Sequence, residues 1–403
     1  MPCTWLRIVH LVALAVAVAA CQPSVVASPS SAAAPPSSAA PSSAAAPPPS
    51  AHPGTSASTT GSLALIGRLG TLRAAHTATT LPDGRVLIAG GCTEDSCEGI
   101  TATTELLDPV TGTSTPGPNM LQPRVGQAAV SLWDGRVLMI GGFQPGRETA
   151  TTELFDPATN TFSAGPNLLE PLADPVAILL RDGSVLVAGG FSNHASVTTT
   201  ELLDPGITAF RATGSLSTPR SSHGGALLLD GRVIVIGGNT RGDSGTVLAS
   251  AEIYDPTTGA WSATGDMSVR RHKLAVVALA DGRVLALGGS NERDAFGQYR
   301  TAEIFDPATG SFMATGEMAA RRYKVSGAVL RLRDGRVLVA AGSRRAEIYE
   351  PDAGAFEGVD GDADTGFNFS AAALLPDGSV LVSGGYDEEI HLTDQILRFV
   401  PAR

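Results

Sequence analysis

Lysine is almost absent from this 403-residue chain, which carries two lysines against 26 arginines. Lys plus Arg number 28 against 39 Asp plus Glu, so the formal charge is -11 and the pI lies near 5.1. A protein that grips nucleic acid by neutralising phosphates needs the opposite balance, and nucleic acid is therefore not an expected partner. Cysteine is scarce as well. The four present, Cys3, Cys21, Cys92 and Cys97, cannot write a paired CxxC framework, which excludes a structural zinc of that kind. Acidic runs such as Asp387-Glu388-Glu389 lack the alternation of a calcium loop, so no metal and no cofactor is expected from the acids either. With 46 Gly, 27 Pro and 5% aromatics, long coiled helices are excluded too.

What is present falls into three segments. Residues 1–20 hold an apolar stretch from Ile8 to Ala20, broken only by His10 and preceded by Arg7, too short to span a bilayer. This reads as a signal peptide. Its end, Val18-Ala19-Ala20-Cys21, resembles the bacterial lipobox, which implies acylation of Cys21 and an exported protein held on a bacterial membrane by a lipid; the alternative is ordinary cleavage with Cys21 incidental. Residues 21–61 form the second segment. From Ala27 to Ala51 only Ser, Ala and Pro occur, and no charge appears between Arg7 and Arg68. Such a run buries nothing and is expected to be a disordered tether reaching up to ~100 Å, a plain linker, or an O-glycosylated stalk.

The third segment, residues 62–403, repeats seven times. Asp-Gly recurs at Asp83, Asp134, Asp182, Asp230, Asp281, Asp334 and Asp377, at spacings of 43 to 53 residues. Seven residues after each Asp a Gly-Gly pair begins, except at Ala341-Gly342, and between them runs a Val/Leu/Ile stretch such as Arg85-Val-Leu-Ile-Ala, the pattern of a strand buried on both faces. A third strand ends in Asp-Pro, as in Ala251-Glu-Ile-Tyr-Asp-Pro. Six residues beyond that acid stands an aromatic, at Phe162, Phe210, Trp261, Phe312 and Phe356, with Ser114 the exception, and a fourth strand follows. Asp-Gly and Asp-Pro are tight-turn chemistry, so each unit predicts four antiparallel strands.

A period near 50, Gly-Gly after the second strand and aromatics framing the last turn make residues 62–403 resemble the Kelch repeat family. The resemblance implies an all-β fold, a seven-bladed β-propeller. The seventh unit stops at Phe399-Val-Pro401 without a fourth strand, while Leu63 to Thr71 align with the fourth strand of unit three. The N-terminal strand is thus expected to complete the last blade and close the ring.

In a four-strand meander the Asp-Gly and Asp-Pro turns share one face; the second-to-third-strand loops and the interblade connections share the other. Only the latter loops vary, from Cys92–Gly99 to Tyr386–Asp394, which makes that face the expected place for binding. Near it Arg73, Arg124, Arg220 and Arg271 stand ten residues before their Asp-Gly, and Arg322 twelve before; Leu172 and Phe367 replace them in blades 3 and 7. With His76, His223, His272, Tyr323 and Lys324 alongside, and Glu94, Asp95, Glu98, Asp294, Glu388 and Glu389 around them, they could ring a pocket for a carboxylate or sulfate. The other reading pairs them inside the blades with Glu105, Glu153, Glu201, Glu252, Glu303 and Glu347 of the third strands. Cys92 and Cys97 are expected to form a disulfide within one exported loop.

Two functions follow as expectations. One is an anchored module that engages a protein, an acidic peptide or a glycan through the variable loops. The other, implied by the resemblance, is a carbohydrate-active enzyme of the sialic acid epimerase or mutarotase kind, with Arg220 and His223, or Arg73 and His76, at the channel mouth. The copper radical oxidase of the same family needs two Tyr, two His and a Cys joined to one Tyr, a set this sequence does not offer. No catalytic residue is assigned.

Overall fold

The computed structural model describes residues 60–241, 245–291 and 297–402. Among the described residues seven four-stranded sheets form the frame, with two-stranded hairpins in the loops of blades 2 and 3 and two short 3-10 turns. Blades 1 to 6 occupy residues 77–116, 128–164, 176–212, 224–263, 275–314 and 329–358. Each is a meander in which the four strands pair in chain order; blade 4, for example, runs Gly224–Leu227, Val233–Ile236, Ala251–Asp255 and Ala260–Ala263. The seventh blade takes three strands from residues 371–401 and its fourth, Gly61–Arg68, from the other end of the domain. That strand pairs antiparallel with Gln395–Pro401, from Gly61 opposite Pro401 to Arg68 opposite Gln395. The ring is closed as the truncated last unit required.

The chemistry of the repeat is visible blade by blade. The second strands, such as Val86–Ala89 and Val233–Ile236, are buried at every residue, because both faces pack against neighbouring blades. In the Asp-Gly turn the Asp carboxylate accepts from the backbone N–H two residues on, as Asp134 does from Arg136 at 3.0 Å, and the Arg136 side chain holds that carboxyl below its ordinary range. Tilted ring pairs brace the outer turn: Phe155–Phe162, Tyr254–Trp261, Phe305–Phe312 and Tyr349–Phe356 lie 4.8 to 5.2 Å apart. The Gly-Gly pair is steric. Gly90 has φ 68°, and a Cβ there would stand 2.6 Å from the Arg124 carbonyl of the next blade's connection. In blade 6 Ala341 takes the first position and Gly342, at φ 83°, carries the left-handed turn.

The first strands of successive blades contact one another and line the central channel. Their starting ends, the interblade connections and the variable loops lie together at one mouth of that channel.

Candidate functional site at the loop face

The five repeated arginines do not ring a pocket. Arg73, Arg124, Arg220, Arg271 and Arg322 are at most 1% exposed. Each points back into its own blade and meets the third-strand glutamate, with Arg73–Glu105, Arg124–Glu153, Arg220–Glu252, Arg271–Glu303 and Arg322–Glu347 at 2.6 to 3.2 Å. The rest of the fork is spent on backbone. Arg220 donates to the carbonyls of Gly237 at 2.9 Å and Ser250 at 3.1 Å, the two roots of the blade 4 variable loop. Its partner Glu252 accepts from Ser217 N at 2.7 Å and Thr218 N at 3.2 Å in the connection from blade 3. One buried pair thereby ties a loop's two roots to the incoming chain. The carboxylate pocket expected of these arginines is corrected on that ground: each guanidinium is buried and its terminal nitrogens bond within the blade, although Nε of Arg73, Arg124, Arg220 and Arg271 has no partner among the described residues.

The two blades that lack the arginine show what it does. In blade 3 Leu172 replaces it while Glu201 remains, still accepting from Leu169 N at 2.9 Å. Burial pushes the Glu201 carboxyl above its ordinary value. Burial also works on Glu252, yet the Ser217 N–H and the Arg220 fork hold that carboxyl below its ordinary value. In blade 7 both partners change together, to Phe367 and Leu397, which lie in one apolar cluster.

His76 and His223 are also interior. They occupy the position three after the arginine, where blade 2 has Gln127, whose Nε2 donates to the Ala89 carbonyl of blade 1 at 3.0 Å. His76 makes the same bridge to blade 7, its Nε2 standing 2.9 Å from Ser383 Oγ. Burial, with Arg73 beside one ring and Arg220 beside the other, pushes both imidazoles down to about 3, so they are neutral seam residues. An unfolded histidine titrates near 6.5, and below that pH the unfolded chain takes up protons that the fold refuses. Stability carried by these residues is present above 6.5 and is lost as the pH falls toward 3. His223→Gln, copying Gln127, is expected to leave the urea midpoint at pH 7.5 nearly unchanged and to spare about 2 kcal/mol of the loss between pH 7.5 and 5. Equal losses in the two proteins would refute the assignment.

Non-repeating chemistry gathers instead at the channel mouth. The residue two after the arginine position is left-handed in all seven blades: Ala75, Gly126, Asp174, Ser222, Lys273, Lys324 and Phe369, with φ between 51° and 63°. Backbone bonds join this ring. Ala75 N donates to Phe369 O at 2.8 Å, Asp174 N to Gly126 O at 2.8 Å, Lys273 N to Ser222 O at 2.8 Å, Lys324 N to Lys273 O at 3.1 Å, and Phe369 N to Lys324 O at 2.9 Å. Asp174 extends it by accepting from Ser222 N at 3.1 Å and Ser222 Oγ at 3.0 Å. Six of the seven residues are not glycine, and each carries a backbone cost of order 1 kcal/mol, strain of the kind that gathers at functional sites.

A second ring surrounds it, formed by the residue after Gly-Gly. Phe143 and Phe191 bring their rings within 5.9 Å of each other on blades 2 and 3. On blades 3 to 5 a buried polar chain runs from Ser196 through Ser221, 2.8 Å apart, to Asn239 and on to His272 Nδ1, 3.4 Å from Asn239 Nδ2. On blades 6 and 7 the Lys324 ammonium lies over the Tyr323 ring at 4.7 Å and the Phe369 ring at 5.0 Å, and Phe369 meets Tyr386 edge-on. Blade 1 contributes Cys92, joined to Cys97 by a disulfide. Glu148 Oε1 and Tyr386 Oη are buried here and have no hydrogen-bond partner among the described residues; burial first, then Asp95, pushes the Tyr386 phenol up to about 12. The sequence reading had His272, Tyr323 and Lys324 at this mouth and Phe143, Asn239 and Tyr386 as the starts of variable loops on this face, but missed Lys273 and Phe191, which a fixed offset from Arg or from Gly-Gly would have found.

A Kelch motif family matches residues 220–268, blade 4 with its incoming connection, and the other units repeat that pattern. The domain is a Kelch-repeat β-propeller. Among solved structures this propeller resembles a fungal alcohol oxidase of the AA5 family with catalytic diversity, determined in complex with copper: the identity is 20%, the TM-score 0.54, and the match covers 81% of this chain and 62% of the oxidase. The chain thus spans less than two thirds of that enzyme, and the likeness is one of fold. No curated protein matches the chain in sequence.

Copper chemistry does not transfer with the fold. Cys92 and Cys97 are bonded to each other, so neither is joined to a tyrosine ring. Tyr254 and Tyr349 are committed to the outer turn, their hydroxyls 2.8 Å from Thr213 Oγ1 and 2.7 Å from Thr315 Oγ1. Among the described residues no three His, Cys, Asp or Glu come together as a metal site. Cys21, the expected lipidation site, and Asp294 of the acidic rim lie outside the described residues.

Proposed function

We propose that this Kelch propeller is a binding module whose loop face engages a protein, peptide or glycan, and that it works outside the cell, tethered to the membrane by a lipid on Cys21. The observation that carries the reading is the division of labour between the faces. Positions that repeat in most blades, including the Arg–Glu pairs and the Asp-Gly turns, are consumed by the fold, whereas the side chains that break the repeat gather at one mouth. Loop roots fixed by buried pairs let the loops differ without loosening the frame. The epimerase-like alternative loses its proposed groups, since Arg220, His223, Arg73 and His76 are interior.

Glycan and acidic-peptide arrays probed with the protein test this. Arg147→Ala and His194→Ala change exposed residues of the hairpins in the blade 2 and blade 3 loops, and Trp133→Ser changes an exposed residue, 68% accessible, beside the opposite Asp-Gly turn. A ligand lost or weakened tenfold by the loop variants and untouched by Trp133→Ser supports the reading. Binding that depends on Trp133 alone, or no ligand on either array, counts against it.

A further inference from the structure

More than half of this chain's net charge is concentrated on one sector of the loop face. The blade 1 loop exposes Glu94, Asp95 and Glu98. The blade 7 loop adds Asp387, Glu388, Glu389 and Asp394, and the connection into blade 7 adds Asp362 and Asp364. Three arginines stand among these nine acids: Arg68 on Asp394 at 2.6 Å, Arg344 of the blade 6 loop on Glu388 at 3.3 Å, and Arg345 on Asp362 at 3.8 Å. With His391 counted as neutral, nine against three leaves an excess of six negative charges out of the chain's -11. Arg321 and the buried Lys324 border the sector at blade 6, and counting both still leaves four. The sector is one continuous surface. Leu392 N of blade 7 donates to Asp95 Oδ1 of blade 1 at 3.3 Å, the Arg344–Glu388 pair joins blade 6 to blade 7, and the Cys92–Cys97 disulfide closes the blade 1 tip. Within the blade 7 loop Asp387 accepts from the backbone N–H groups of Glu389 and His391 at 2.9 and 2.8 Å. A cationic partner therefore meets a field already held in shape.

Beneath these acids lies polar chemistry that the fold leaves unsatisfied. Tyr386 Oη and Thr393 Oγ1, at the two roots of the blade 7 loop, and Gln395 Oε1 two residues on belong to side chains 7 to 8% exposed and have no hydrogen-bond partner among the described residues. Tyr386 faces the acidic loops, near enough to Asp95 for that charge to act on its phenol. Blade 1 satisfies the corresponding positions itself: Thr101 Oγ1 and Thr103 Oγ1 stand 2.9 Å apart, and Arg73 brings Nη2 to Thr103 Oγ1 at 3.4 Å. Blade 7 has Phe367 where that arginine stands, so its acceptors lack a donor. Its loop roots lack the arginine clamp as well, and backbone bonds hold them, Gly384 N to Gln395 O at 3.0 Å and Thr393 N to Gly385 O at 2.9 Å. Unpaired oxygens under an excess of negative charge suit a cation with several N–H donors and no acceptor, which a guanidinium is. Resting on the reading that the loop face binds a partner, we infer that this sector docks a basic peptide segment, one of whose arginines donates to Tyr386, Thr393 and Gln395 as the unclamped roots part to admit it. The partner is then basic, not the acidic peptide that a ring of free arginines would have drawn.

The probe is a fluorescein-labelled oligoarginine peptide, followed by anisotropy against the full chain at fixed ionic strength, with oligoglutamate as its opposite. Any acidic protein attracts a polycation, so two double variants that remove equal charge are compared. Glu94→Gln/Glu389→Gln neutralises exposed acids of the sector, and Asp352→Asn/Glu357→Gln neutralises exposed acids on the outer turn and strand of blade 6. The first is expected to weaken the arginine peptide about tenfold and the second less than about twofold. Tyr386→Phe deletes one orphaned oxygen and no charge. It should weaken the peptide about fivefold without lowering the melting temperature, since an unpartnered buried hydroxyl contributes no stability to lose. Equal losses in the two double variants, binding to Tyr386→Phe equal to wild type, or saturable binding of oligoglutamate each overturn the inference. An array ligand that the loop variants lose, and that binds wild type and Glu94→Gln/Glu389→Gln alike, also overturns it while leaving the loop-face reading intact. Arginine-peptide binding that follows the sector variant, with no ligand on the glycan or acidic-peptide array, does the reverse.

Discussion

Arg220→Leu is expected to cost about 3–5 kcal/mol of stability, because it leaves the Glu252 carboxylate buried without its countercharge. Against a total of about 5–15 kcal/mol for a typical domain, that loss is a large shift in the urea midpoint. The size of the leucine is not the difficulty, since Leu172 fills the same position in blade 3 with no exposed surface. The charge is. With leucine in place the hydrogen bonds from Ser217 and Thr218 remain, but the Arg220 contact that helps hold Glu252 ionised is gone, and its carboxyl should move up as that of Glu201 does. The double variant Arg220→Leu/Glu252→Gln, uncharged as Phe367 and Leu397 are at these positions in blade 7, should therefore regain at least half of the lost stability. Hydrogen exchange adds a local reading: Gly237 and Ser250 lose the donor on their carbonyls, so amides at the root of the blade 4 loop should exchange faster than those of blade 1. A single substitution costing under 1 kcal/mol, or a double no better than the single, would show that the pair contributes little to holding the loop.

These buried pairs mark where the sequence was legible and where it was not. Seven units of four strands follow from the spacing of Asp-Gly, Gly-Gly and Asp-Pro, whereas their arrangement as a propeller closed by the N-terminal strand followed from the resemblance to Kelch repeats and the likeness of Leu63 to Thr71 to a fourth strand. The arginine repeat was equally plain, but its direction was not. Ten residues before Asp-Gly, an arginine can reach either the channel or its own third strand, and only the path of the connection, held by Glu252 on Ser217 and Thr218, decides for the interior. The inner ring was harder to read, because left-handed backbone is usually signalled by Gly or Asn, whereas here Ala75, Ser222 and Phe369 adopt it under the pull of hydrogen bonds from neighbouring blades. The lysines were conspicuous as rarities. Their adjacency became visible only when the blades were stacked, since 51 positions separate Lys273 from Lys324 in the chain.

Removing the strand Gly61–Arg68 should have the largest effect of any change short of deleting a blade. Its Leu63, 3% exposed, packs in the cluster that also holds Val380, Leu397 and Phe399, and its backbone covers Gln395–Pro401 along seven paired positions. It reaches further than its own blade: Leu63 N donates to Asp360 O at 2.8 Å and Asp360 N to Gly61 O at 3.1 Å, which ties the seam between blades 6 and 7. Without it the third strand of blade 7 becomes a seven-residue open edge with apolar residues beneath, a template for pairing with other chains. Ring closure is lost as well, for this strand is the only one of the seventh blade that the chain delivers directly into blade 1. A chain beginning at Thr60 is the reference, and one beginning at Leu69 is expected to lose its cooperative melt and to elute from size exclusion as oligomers or aggregate. Adding a synthetic peptide of residues 60–69 should restore a monomeric peak and raise the melting temperature in proportion to the logarithm of peptide concentration, as linkage requires. A monomeric truncated protein that melts with the reference would mean that six complete blades and three strands already form a stable frame, and that the closing strand is dispensable to it.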